Sequence, residues 1–93
     1  MMTVHSEIGK IVREYRVRSN LTQLDLAKKL GYDTPQFVSL FERGLSKIPL
    51  ETLGQLITLL GIPEKKIINS LLTSYELDLK AQINHGKKVR LRA

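Results

Sequence analysis

Apolar residues recur along this chain with a helical period, and proline, threonine and glycine interrupt them at intervals. Ile8, Ile11, Val12 and Tyr15 fall at i, i+3, i+4 and i+7, one face of a first helix over about residues 6–19. A second helix starts at Thr22, whose hydroxyl can cap free backbone N–H groups, with Asp25 favourable in its first turn. It buries Leu26, Ala27 and Leu30 and ends at Gly31. A short third helix is expected to be capped by Thr34, opened by Pro35 and closed before Gly44, with Val38 and Phe41 inward. A fourth runs over 49–60, turning Leu50, Leu53, Leu56, Ile57 and Leu60 to the core. The last begins at Pro63 and continues to about residue 84, with Gly86 as its stop. Gly31, Gly44, Gly61 and Gly86 each follow an apolar run, where a left-handed C-terminal cap is expected. No stretch alternates apolar and polar residues long enough for a strand, so the pattern predicts an all-α fold.

Residues 22–44 carry the functional signal. They give two short helices around a glycine turn: small Ala27 lets the helices approach, Gly31 makes the turn and Val38 locks the second helix down. The segment resembles the phage repressor/Cro-like, or Xre, family of helix-turn-helix DNA-binding domains. Leu21-Thr22-Gln23, Leu26-Ala27, Gly31, Val38-Ser39 and Glu42-Arg43-Gly44 carry the resemblance. Ser46, Pro49, Leu50-Glu51-Thr52-Leu53 and Leu60-Gly61-Ile62-Pro63 extend it over that family's fourth and fifth helices, about 60 of the 93 residues. The resemblance implies a five-helix repressor-like domain, here with a C-terminal helical extension, whose third helix enters the major groove of double-stranded DNA. It also implies a pair between Arg16, late on the first helix, and Glu42, at the end of the third. A bidentate bridge there would fix the recognition helix; otherwise these are two independent exposed charges. One departure stands out. Six residues, Tyr32 to Phe37, separate Gly31 from Val38, one more than the commonest family pattern, so the longer turn either tilts the third helix or bulges.

With Val38 and Phe41 inward, the outward positions of the third helix are Pro35, Gln36, Ser39, Leu40 and Arg43. Gln36 is the best base reader, because its amide donates and accepts against adenine at once. Ser39 can bond a base or a phosphate. Leu40 can meet a thymine methyl, or is an incidental surface apolar residue. A helix N-terminus offers unpaired N–H groups, which places Thr22 and Gln23 to hold a DNA phosphate, although Gln23 also fits a solvated surface amide. Thr34, Arg43 and Lys47 complete the expected backbone contacts.

Beyond the domain, Ile67, Leu71, Tyr75, Leu79 and Ile83 recur every four residues, and Ile68, Leu72, Tyr75 and Leu79 follow a 4-3-4 spacing, a fragment of a coiled-coil seam. Leu72, Tyr75, Leu79 and Ile83 are therefore expected to dimerise the chain, unless the extension folds back on its own monomer; a break near Thr73-Ser74 would mark that alternative. The expected division is a DNA-binding domain over 4–72, an extension over 73–85 and a basic tail over 86–93.

Charge supports a polyanion partner. Fifteen Lys and Arg against nine Asp and Glu give +6, but Lys87, Lys88, Arg90 and Arg92 sit in the last nine residues, leaving 11 − 9 = +2 for residues 1–84. The tail either adds a screenable attraction to DNA or is a solvated terminus. No cysteine is present, and His5 and His85 lie far apart, so no metal or other cofactor is expected. No nucleophile constellation or phosphate-cradling glycine loop argues for an enzyme. No apolar run suits a membrane span and no signal-peptide pattern opens the chain, so a cytoplasmic protein, nucleoid-associated when on DNA, is expected. The function expected is a sequence-specific regulator, a repressor on a palindromic operator as a homodimer. The alternative is an antitoxin-type module that binds a toxin partner and autoregulates.

Overall fold

The computed structural model describes residues 4–91. Five helices follow one another: α1 Val4–Arg18, α2 Gln23–Lys29, α3 Gln36–Glu42, α4 Leu50–Leu60 and α5 Glu64–Lys88. Among the described residues there is no strand, as the periodicity requires. Ile8 and Val12 of α1, Leu26 and Ala27 of α2, Val38 and Phe41 of α3, Leu53, Leu56 and Leu60 of α4, and Ile67 of α5 form one buried cluster.

Local chemistry explains where the helices end. At the end of α2 the N–H of Tyr32 reaches the carbonyl of Ala27 at 2.9 Å and that of Gly31 reaches Lys28 at 3.0 Å. This paired closure needs a left-handed residue, and Gly31 supplies φ +89°. The same closure ends α1, but through Asn20 at φ 57°, a non-glycine residue that the glycine pattern does not flag.

Several expectations need correction. Pro35, Pro49 and Pro63 stand just before α3, α4 and α5 rather than as their first residues, and no side chain caps α3, so Thr34 is not its cap. Leu50 is 76% exposed. Sitting in the first turn of α4, it lies off the Leu53–Leu56–Leu60 face, and Ile48 from the preceding connector fills the core instead. Ile62, in the next connector, is buried likewise. Gly86 does not stop α5: it has no left-handed φ, and the helix closes at Val89, whose N–H bonds the Gly86 carbonyl at 3.2 Å.

Nor is there a break at Thr73-Ser74. The helix α5 is continuous for 25 residues, about 37 Å at 1.5 Å per residue. Among the described residues its first turns carry the core contacts with the domain, through Ile67 and Leu71, and the rest of the helix extends away rather than folding back. The molecule is correspondingly elongated, 60 × 25 × 23 Å.

The helices α1 and α3 approach closely at Gly9. A Cβ at Gly9 would run into the backbone carbonyls of Phe41 and Glu42, which cannot move without shifting α3. Gly54, exposed on α4, has open space around its Cβ position. Gly9→Ala should therefore cost about 1–3 kcal/mol by overpacking. Gly54→Ala should add roughly 0.5–1 kcal/mol through helix propensity. Thermal unfolding followed by circular dichroism checks the opposite signs; equal shifts would mean that α1 and α3 are not in tight contact.

Candidate nucleic-acid interface

The site is built around one buried ion pair. Arg16 on α1 meets Glu42 at the end of α3 with Nε–Oε2 at 2.6 Å and Nη2–Oε1 at 3.0 Å, a two-point bridge whose side chains are 11% and 2% exposed. The third Arg16 nitrogen donates to the Leu21 carbonyl at 2.8 Å. Gln23, at the start of α2, donates its amide to Glu42 Oε1 at 3.1 Å. Three helices thus converge on one carboxylate. Of the two readings open for Arg16 and Glu42, the paired one is adopted.

Thr22 caps α2 as its sequence position indicates. Its hydroxyl accepts from the Asp25 N–H at 2.9 Å and the Asp25 carboxylate accepts from the Thr22 N–H at 2.9 Å, a reciprocal capping box. The Thr22 backbone hydrogen bond, then its hydroxyl and the nearby Lys28 and Lys29, hold the Asp25 carboxyl below its usual range.

The six-residue turn is exposed along most of its length and is tied down by its aromatic ends. Tyr32 stacks on Phe37 with centroids 4.9 Å apart, and Phe37 meets Phe41 edge-on at 5.3 Å. These rings run from the turn into the core, and α3 buries Val38 and Phe41 completely. Neither Tyr32 nor Phe37 stands out by periodicity; the signal was two aromatics bracketing the turn.

On the opposite face of α3, Gln36 is exposed and Ser39 half-buried. Leu40, expected outward, is half-buried as well, because its position lies beside the Phe41 face. Arg43 is exposed and donates through Nε to the Ser39 carbonyl at 3.3 Å. Thr34 is exposed in the turn. A cleft of about 330 Å³ opens beside α3, lined by Arg13, Arg16, Gln23, Ser39, Glu42 and Arg43. Arg13 is its unforeseen member; it lies three residues before Arg16, a spacing that puts both on one side of α1. Lys47 is not part of this cleft and lines a separate groove with His5, Leu71 and Tyr75.

Leu72, Tyr75 and Ile83 are 60%, 63% and 57% exposed and Leu79 is 40% exposed. They share one face of α5, and among the described residues only the groove of His5 and Lys47 beside Tyr75 adjoins it. Arg92 of the basic tail lies outside the described residues, whereas Lys87 and Lys88 form the last turn of α5. Among the described residues no group of three His, Cys, Asp or Glu side chains could hold a metal, and no helix is long and apolar enough to cross a membrane.

A family model described as helix-turn-helix matches residues 12–67, from the middle of α1 into the first turn of α5. No curated protein and no solved structure matches the chain.

The bridge makes a specific demand. Glu42→Ala leaves the Arg16 guanidinium buried without its carboxylate and should lower stability by about 3–5 kcal/mol, whereas the apolar double replacement Arg16→Met with Glu42→Leu should recover most of that loss. Urea denaturation of the variants decides; a single variant as stable as the parent would show that the bridge is solvated in solution.

Proposed function

The chain belongs to the Xre/Cro-like helix-turn-helix family of DNA-binding transcriptional regulators, and on that premise we propose that it binds one operator sequence specifically, as a homodimer, and represses. The observation that supports this best is the anchoring of α3: its rear is clamped by Arg16–Glu42 and the Phe41 core while Gln36 and Ser39 stay free at the front. A major groove admits one helix so presented. Gln36 then reads a base, with Ser39 and the partly covered Leu40 as lesser contributors. Thr22, Gln23, Thr34, Arg43 and Lys47 serve the backbone. Because Gln23 also holds Glu42, its phosphate contact and the orientation of α3 are coupled in this reading.

Residues 4–72 form the DNA-binding part in this proposal, 73–85 the dimerisation element and 86–93 a basic tail. The exposed stripe Leu72, Tyr75, Leu79 and Ile83 on an unbroken helix supports a partner helix against it, and the simplest partner is a second copy. A two-fold pair then reads two half-sites about 34 Å apart. Lys87, Lys88 and Arg90 add a sequence-independent attraction to phosphate.

Two measurements test the reading. Gln36→Ala should cost about 1–3 kcal/mol on a duplex selected from random sequence, with the loss concentrated at one base pair per half-site. A uniform loss, or none, would pass the reading role to another residue of α3. For the dimer, Tyr75→Asp with Leu79→Asp should give monomers by analytical ultracentrifugation with helicity unchanged. If the parent chain is itself monomeric at micromolar concentration, with and without DNA, the stripe serves a different protein partner, as the toxin-binding alternative requires.

A further inference from the structure

The cleft beside α3 holds three guanidinium groups and one carboxylate, and their pairing is unequal. Arg16 and Glu42 neutralise one another in the two-point bridge. Arg43 uses only Nε, on the Ser39 carbonyl. Arg13 makes no hydrogen bond or ion pair with any described residue. Its neighbour on α1, Glu14, is held by Arg18 at 2.7 Å and so does not answer it. Three Arg minus one Glu leaves the cleft at +2, carried by the two arginines that are free to engage a ligand.

We infer that Arg13, with Arg43 across the cleft, forms a seat for one phosphodiester of the DNA strand flanking the groove that α3 enters. The inference rests on the DNA-binding reading above and adds to it a contact from the first helix. The chemistry is specific: guanidinium is a planar fork that matches phosphate oxygens two at a time, and an uncompensated one at a concave polar opening selects an anion. The floor suits that ligand. Glu42 would repel a phosphate if its charge were open, but Arg16 on one side and Gln23 on the other consume its oxygens. The bridge that orients α3 therefore also makes the cleft habitable for an anion. Arg13 lies on α1, which touches α3 closely at Gly9, so the seat and the reading helix move as one body and a seated phosphate sets the register of Gln36 on the bases.

The experiment uses the full chain and a duplex selected from random sequence, alongside a scrambled duplex. Arg13→Ala, on the exposed side of α1, should keep the parent circular dichroism spectrum and melting curve. It should lose the same factor of affinity on both duplexes, and the slope of log K against log salt should become shallower by about 0.9, one phosphate. Single methylphosphonate substitutions along the selected duplex should reveal one position per half-site where neutralisation weakens the parent but leaves Arg13→Ala unaffected. Arg13→Lys should restore the slope while recovering only part of the affinity. If the parent binds DNA but Arg13→Ala matches it in affinity and slope, the seat is wrong and the DNA-binding reading stands. If Arg13→Ala weakens binding with no methylphosphonate position rescued, Arg13 acts through the general field and the seat is wrong again. A parent chain that binds neither duplex overturns the seat and the reading together.

Discussion

A single buried carboxylate organises the functional half of this molecule. Glu42 ends α3; both its oxygens accept from the Arg16 guanidinium of α1, and Oε1 also accepts from the Gln23 amide of α2. Taking both charges out of water is costly, and the arrangement persists because nearly every donor and acceptor is satisfied: among the described residues no buried side-chain nitrogen or oxygen lacks a partner. A bridge of this kind contributes less to net stability than to uniqueness, since a rotated α3 would strand a charge. For a helix proposed to present a face to DNA at a defined angle, that is the relevant property.

The bridge also sets conditions elsewhere. Both α2 and α3 are seven residues long, too short to persist alone, so their helicity depends on ends and packing. The Thr22–Asp25 box starts α2, left-handed Gly31 closes it, and the Tyr32–Phe37–Phe41 aromatics carry the chain into α3. Gly9 lets α1 lie against the α3 carbonyls closely enough for Arg16 to reach Glu42. Local caps, one close approach and one ion pair are thus a single mutually dependent set, and losing any one of them loosens the others.

Most of the fold was legible because it rests on signals local in sequence. The periodicity of Ile8–Val12 and of Leu53–Leu56–Leu60, and the cap at Thr22, depend on neighbours within a turn or two. What escaped was decided at a distance or by position within an element. Leu50 falls three residues before Leu53 but sits in a first turn, off the Leu53–Leu56–Leu60 face, and the connector residue Ile48 is buried in its place. Gly86 looks like a stop, but a glycine ends a helix only where the chain must turn left-handed, and nothing beyond it forces that. The pairing of Arg16 with Glu42 came from resemblance, not from spacing. The place of Gln23 on Glu42, and of Arg13 in the cleft, depends on three helices meeting, which no window of sequence contains.

The length of α3 bears on why the chain carries a long, partly bare α5. Seven residues rise about 10.5 Å, about three base-pair steps at roughly 3.4 Å each. Each base-pair position contributes about 1–3 kcal/mol of discrimination, so one such helix separates its site from random DNA by only a few such increments. Against the 10⁶ or more competing sites of a genome that is insufficient. A second identical reader held at fixed spacing doubles the discriminating positions without a longer recognition helix. Rigid spacing needs a stiff connection, and α5 is rooted in the core by Ile67 and then runs unbroken past Tyr75 and Leu79. The short reader and the long extension are therefore complementary requirements of the proposed dimer: the less α3 can read alone, the more its position relative to a second copy must be fixed.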